Sequence, residues 1–273
     1  MTDRYAVIGN PVAHSRSPAI HAEFARQAGH DLSYGTLFAD RDGFEQTVQR
    51  FRTGGGRGLN VTVPFKQRAY SLADRRTARA ERARAVNTLT FEDGAIAGDN
   101  TDGVGLIRDL TDNLGCALEG RRVLLLGAGG AAYGVCAPLL QAGPDALVVA
   151  NRTLAKAVDL CNSCRDIDTR GALSASGYAE LAGGTFDLVI NATSAGLADA
   201  MPPLPAGVYA PGALAYEMVY GRVTGFMAQA AGQGVRTADG LGMLVEQAAE
   251  SFYIWRGVRP DTAPVIAQLR TTR

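Results

Sequence analysis

Arg121-Arg-Val-Leu-Leu-Leu-Gly-Ala-Gly-Gly-Ala-Ala132 is the stretch whose reading decides the fold. Val123 to Leu126 is a short apolar run that predicts a strand buried on both faces. Gly127-Ala128-Gly129-Gly130-Ala131-Ala132 then fits G-x-G-x-x-G/A with alanine in the third position, and the pattern that follows is helical to Gln141. Glycine has a chemical reason to be here. A Cβ would block the tight turn and keep a pyrophosphate away from backbone N–H groups at the helix start, where the helix dipole also favours an anion. A dinucleotide site on a Rossmann-like unit is the expectation.

Working outward, the alternation continues. ALVVANR (146–152), FDLVINATS (186–194) and GALAYEMVY (212–220) read as strands, with a helix from Thr153 between the first two. This predicts a parallel, doubly wound sheet. Upstream, RYAVIG (4–9), LSYGTLFA (32–39) and GLNVTVP (58–64) are strand-like. AIHAEFARQAG from Ala19 and FEQTVQRFRT (44–53) carry helical spacing, with Ile20, Phe24 and Ala28 on one face of the first. Ser17 before Pro18 suits a helix N-cap, and AVNTLTFEDGAIAGDN (85–100) reads as a hairpin turning at Asp93-Gly94. A helix from Asp102 to about Gly120 would bridge two domains, and LGMLVEQAAESFYIWRGV and PVIAQLR close the chain as helices. The expected architecture is two α/β domains facing across a cleft. Residues 1–103 plus 241–273 would form an N-terminal substrate-binding and catalytic domain, and 104–240 a dinucleotide-binding, Rossmann-like domain.

Composition excludes several alternatives. The 273 residues hold 27 Lys+Arg against 27 Asp+Glu, which removes any whole-chain electrostatic case for nucleic acid or an anionic membrane. A hydrophobic content of 47% is too high for disorder. The start, Met1-Thr-Asp-Arg-Tyr5, carries no apolar signal core. The uncharged run Val123 to Pro144 is broken by glycines and prolines, so it reads as strand–turn–helix, not as a membrane span. Cys116, Cys136, Cys161 and Cys164 are too few for a disulfide scaffold, and no second pair or nearby histidine completes a zinc site with Cys161 and Cys164. The expected setting is the cytoplasm, with no metal.

The next strand end selects the nucleotide. An NAD site places Asp or Glu there, on the ribose 2′-OH. This chain has Asn151-Arg152-Thr153, with Lys156 one turn on. A carboxylate would repel a 2′-phosphate, whereas Arg152 can stack on adenine and pair with that phosphate, and Lys156 adds charge. Basic groups at a helix N-terminus oppose its dipole, so a ligand phosphate is the better account of them. The cofactor is expected to be NADP(H).

Three segments of the first domain are polar where packing alone would favour apolar residues. They are Gly9-Asn-Pro-Val-Ala-His-Ser15-Arg-Ser17-Pro18, Asn60-Val-Thr62-Val-Pro64-Phe-Lys66, and Asn87 with Gly98-Asp-Asn-Thr-Asp102-Gly103. In the second, Asn60 and Thr62 alternate and would share one strand face. Helix capping, strand edges and turns could each explain one segment. Together they supply uncharged hydrogen-bonding groups with acidic and basic ones among them, which suits a polyhydroxylated small molecule.

In order along the chain stand GNPVAHSRSP, NVTVPFK, AVNT, GDNTDG, GAGGA, NRT, NATS, YEMVY and ADGLGMLVEQA. On these motifs the chain resembles the shikimate dehydrogenase family end to end. The resemblance implies that Ser15, Ser17, Thr62, Lys66, Asn87, Asp102, Tyr220 and Gln247 contact shikimate. It gives Lys66 as the acid/base residue, with Asp102 as its partner. It places Gly127, Ala128, Gly129, Gly130, Ala131, Asn151, Arg152, Thr153, Lys156, Met218 and Gly240 on the cofactor. There are departures: Lys156 and Glu217 stand where relatives often carry Arg and Asp, and Ala78 occupies a position that is often acidic. The implied reaction is the reversible reduction of 3-dehydroshikimate by NADPH, in which an alkoxide forms and needs a proton donor. His14 could line the first loop, while His21 and His30 read as helix-surface residues. The alternatives are a quinate/shikimate or aminoshikimate dehydrogenase paralogue and a non-catalytic metabolite sensor. The partner is a small molecule, with neither nucleic acid nor membrane expected, and the assembly implied is a monomer or homodimer.

Overall fold

The computed structural model describes residues 2–92, 94–193 and 201–271. It divides into two compact units, one of residues 1–105 and 245–273, the other of residues 106–244.

The first unit carries β1 (Asp3–Gly9), α1 (Ser17–Ala28), β2 (Leu32–Phe38), α2 (Phe44–Thr53), β3 (Gly56–Val61), α3 (Lys66–Leu72), β4 (Arg75–Arg76), α4 (Ala78–Ala83), β5 (Thr88–Glu92), β6 (Ala95–Asp99) and the start of α5 (Asp102–Arg108). Its sheet runs β2-β1-β3-β5-β6-β4. β1 lies parallel to both neighbours, β5 is antiparallel to β3, and β5–β6 is a hairpin with Glu92 opposite Ala95. Gly94 takes φ +75°, the left-handed turn geometry glycine permits, while Asp93 lies outside the described residues. Phe44, Val48 and Phe51 of α2 are buried at helical spacing and join a core with Ile8, Leu59, Phe65 and Leu89.

The second unit carries β7 (Arg122–Leu126), α6 (Gly130–Gln141), β8 (Ala146–Ala150), α7 (Leu154–Ser163), β9 (Leu173–Ser176), β10 (Phe186–Asn191), β11 (Tyr209–Glu217), α8 (Gly225–Gly232), β12 (Arg236–Asp239) and the start of α9 (Leu241–Arg256). Its sheet is parallel throughout, in the order β12-β11-β10-β7-β8-β9. Val123 to Leu126 are all 0% exposed, as a strand covered by helices on both faces requires. The order reverses between β7 and β10, which makes the carboxyl ends of those strands the topological switch point. The rest of α9 and α10 (Ala263–Thr271) return to the first unit. No helix among the described residues is long and apolar enough to cross a membrane.

Four local expectations are corrected. Arg16, not Ser17, is the N-cap of α1; Ser17 is already helical, and its N–H donates to Ser15 Oγ at 3.2 Å. The helix from Asp102 ends in a π-helical turn, Asp109–Asn113, short of Gly120, because Gly115 adopts φ +63°. Thr62 lies one residue past β3, which closes at Val61, although its N–H still donates to the Ile8 carbonyl of β1 at 3.0 Å. His21 is 1% exposed and stacks on Tyr34 at 4.1 Å, with Phe24, Phe252 and Trp255 around it. It reads as surface in sequence because its helix neighbours Ala22 and Glu23 are polar or small, but α9 covers that face. His30 is half-buried and accepts from Arg256 Nε at 3.1 Å, whereas His14 is exposed.

Candidate active site

In the first unit, Lys66 is the first residue of α3 and Asp102 the first of α5. Lys66 Nζ donates to Asp102 Oδ2 at 2.6 Å, the ammonium side chain 30% exposed and the carboxylate 10%. A charge-assisted bond this short fixes both groups without removing the lysine from solvent. The carboxylate is held from its other side. Asn87 Nδ2 donates to Asp102 Oδ1 at 2.9 Å, and the Asp102 N–H donates to Asn100 Oδ1 at 3.1 Å. Asn87 is itself anchored, with its Oδ1 accepting from the Thr101 N–H at 2.9 Å and its Nδ2 reaching Gln247 Oε1 at 3.3 Å. Lys66, Asn87, Asp102 and Gln247 therefore form one hydrogen-bonded cluster. The Gln247 oxygen also lies 3.4 Å from Thr101 Oγ1, which ties the helix carrying it to this cluster.

Behind this cluster runs a buried polar chain. Ser251 Oγ meets Thr88 Oγ1 at 2.8 Å and accepts from Asn60 Nδ2 at 3.0 Å, and Tyr34 donates its hydroxyl to Asn60 Oδ1 at 2.7 Å. Burial pushes the Tyr34 phenol well above its usual range, so it stays a donor. Asp99 grips the same loop from outside: Arg79 donates to both of its oxygens, at 2.6 and 2.8 Å, and Arg79 Nη1 also reaches Glu250 at 3.1 Å. Ala78 opens α4 next to that anchored arginine. Ser15 and Ser17 stand at the start of α1, and Thr62 follows β3, where its methyl packs so closely that a Cβ on Gly9 would collide with it. Tyr220 belongs to the second unit. Sequence reasoning misses Ser251 and Tyr34, and names Thr101 only as part of the polar segment 98–103. Ser251 was within its reach, since it lies four residues beyond Gln247 on one helix and so shares its face.

In the second unit the expected cofactor residues gather at the carboxyl ends of adjacent strands. Gly127 follows β7 with φ +104°, a conformation L side chains avoid, and a Cβ there would press on Thr193 and the Ala192 carbonyl. Gly129 is the N-cap of α6 and Gly130 its first residue; both are exposed, and no side chain caps the helix. The first N–H groups of α6 therefore remain available for an anion. Leu126 pairs with Ala150, which brings Asn151 beside this turn, and Asn151 Nδ2 closes the next turn on the Thr153 carbonyl at 2.9 Å. Arg152, Thr153 and Lys156 are exposed at the start of α7. Ala128 is half-buried and Ala131 exposed on the same turn. Met218 follows β11 and Gly240 follows β12; a Cβ on Gly240 would collide with the Met218 carbonyl. Ser194 of the NATS motif lies outside the described residues. An uncapped glycine-rich helix start beside exposed basic groups fits a phosphorylated dinucleotide, and among the described residues no cluster could hold a metal.

The fold and this turn define a dinucleotide-binding α/β protein of the Rossmann-like class. Residues 7–89 match the shikimate dehydrogenase substrate binding domain, 109–198 the shikimate/quinate 5-dehydrogenase model and 240–270 the shikimate 5'-dehydrogenase C-terminal domain. The shikimate dehydrogenase (NADP(+)) of Aromatoleum aromaticum is 61% identical over 98% of this chain and 97% of its own. An Ael1 enzyme from Pseudomonas putida superposes with a TM-score of 0.92 at 54% identity, covering 98% of both chains. The shikimate 5-dehydrogenase of Thermus thermophilus, solved with NADP(H) and shikimate, gives 0.87 at 33% identity over 99% of both. The chain belongs to the shikimate dehydrogenase family.

Proposed function

We infer that the protein catalyses the reversible NADPH-dependent reduction of 3-dehydroshikimate to shikimate, with Lys66 and Asp102 as the proton-transfer pair. The observation that carries this reading is the 2.6 Å contact between Lys66 Nζ and Asp102 Oδ2, set among Asn87, Thr101 and Gln247. The first unit acts as the substrate-binding and catalytic domain and the second as the NADP-binding domain. Ser15, Ser17, Thr62, Asn87 and Gln247 of the first unit hold the hydroxyl and carboxylate groups of the ring.

The α6 N-terminus takes the pyrophosphate, Arg152 and Lys156 the 2′-phosphate, and Met218 and Gly240 border the remainder. NADPH, when bound, supplies the hydride. The protein's task is the proton. As the carbonyl oxygen gains negative charge, the Lys66 ammonium donates to it, and Asp102 holds that ammonium in place. In the reverse direction the neutral amine accepts the hydroxyl proton. A general acid poised this way is worth about 10²–10⁴-fold in rate.

Initial rates with shikimate and quinate, each with NADP⁺ and NAD⁺, test the reading. Turnover is expected to be fastest with shikimate and NADP⁺, and its absence would refute the assignment. Lys66→Ala is expected to lower kcat by at least ~10²-fold with a smaller change in KM. A near-normal kcat in a folded variant would remove Lys66 from this role.

A further inference from the structure

Glu217 is the last residue of β11 and is 0% exposed, yet no function so far described uses it. Its carboxylate accepts three hydrogen bonds, none from a charged group. Oε2 takes Asn191 Nδ2 at 2.8 Å and Thr224 Oγ1 at 2.9 Å, and Oε1 takes the Val219 N–H at 3.1 Å. Asn191 and Thr224 are equally hidden, at 0% and 1% exposure. A buried carboxylate is costly to keep, so a complete and directional set of donors on one marks a position where geometry matters.

Each donor leads somewhere. Asn191 closes β10 opposite Glu217, and its carbonyl accepts the Met218 N–H at 3.1 Å. The Asn191 Oδ1 accepts from Thr193 Oγ1 at 2.7 Å and from the Thr193 N–H at 3.2 Å. Thr193 in turn abuts Gly127, the hinge of the phosphate turn, where an added Cβ would stand 3.1 Å from the Thr193 methyl. Val219 carries the other arm: its N–H is on the carboxylate, and its carbonyl accepts the Gly240 N–H at 3.3 Å. Thr224 caps α8, accepting the Met227 N–H at 3.4 Å.

We propose that Glu217 is a positioning residue for the cofactor, one buried carboxylate that ties the Met218–Val219 segment to the Asn191–Thr193 turn against Gly127. It touches no ligand itself. The proposal rests on the assignment of the second unit as the NADP-binding domain. The Glu217 carboxylate fixes the spacing between the Met218–Val219 segment and the turn bordering the pyrophosphate.

Glu217→Gln isolates this role. An amide oxygen can still serve Asn191 and Thr224, but the amide NH₂ then faces the Val219 N–H, donor against donor. The variant is expected to raise KM for NADPH about tenfold, the scale of one lost buried hydrogen bond, with KM for shikimate unchanged. The conservative Glu217→Asp should recover most of the loss. A purely structural role would lower the melting temperature and the active fraction and leave both KM values alone, so that pattern would overturn the proposal. Parallel changes in both KM values would also overturn it. Should Glu217→Gln fail to fold, Thr224→Val removes one donor far from any assigned ligand contact. A rise in NADPH KM alone then supports the coupling, and no change refutes it. Wild-type protein that neither binds nor oxidises NADPH would instead refute the domain assignment.

Discussion

At the scale of single residues, the clearest contrast is between Asn87, a polar side chain saturated by neighbours, and His21, whose polar atoms are not. Neither His21 ring nitrogen finds a hydrogen-bond partner of normal geometry. Burial among aromatic rings drives its pKa down from 6.5 to about 3, with the neighbouring Asn60 amide opposing in part. The folded chain therefore keeps His21 neutral where the unfolded chain protonates it. Between pH about 6.5 and about 3 the unfolded state binds the extra proton, so stability is lost as pH falls, at up to about 1.4 kcal/mol per pH unit. His21→Phe keeps the stack on Tyr34 and removes this proton. Urea midpoints measured at pH 7 and pH 4.5 should fall further for the wild type than for the variant, and an equal fall in both would sink the idea. The motif resemblance singles out Lys66 and Asp102 from the ionisable groups of the polar segments, which also include His14, Arg16 and Asp99. It could not show that Asn60, Thr88 and Ser251 meet, since that contact joins positions separated by up to 191 residues.

At the scale of elements, the strand–turn–helix unit from Arg122 to Gln141 is legible because every local signal agrees: an apolar strand, glycine where φ is positive, and no side-chain cap competing with an anion. The short elements were not legible. β4 has two residues and β9 four, too few for any period to emerge. The π-helical turn after α5 is set by tertiary contacts, among them Asp109, which accepts the Tyr216 hydroxyl at 2.6 Å. The start of α7 yields a prediction at this scale. Arg152 is exposed beside the first turn of a helix whose dipole disfavours it, so its value lies with a ligand. Arg152→Ala should raise KM for NADPH much more than KM for NADH in steady-state assays. Equal changes would argue against contact with the 2′-phosphate.

At the scale of the molecule, the first unit is discontinuous, with residues 1–105 completed only by 245–273. What the last segment adds is substantial: Phe252 packs on Phe24 and His21, Trp255 stacks on Tyr5 at 4.6 Å and donates to the Leu89 carbonyl, and α9 supplies Gln247 and Ser251 to the polar cluster. A chain ending at Leu244 is therefore expected to bind a hydrophobic dye such as ANS through the bared aromatic face while still titrating with NADPH. A native-like, dye-silent first unit in that fragment would show the closing helices to be dispensable. For synthesis on the ribosome the same layout has a direct consequence. The amino-terminal part emerges first but cannot mature until residues 245–273 have been made, whereas every residue of its neighbour is available before them.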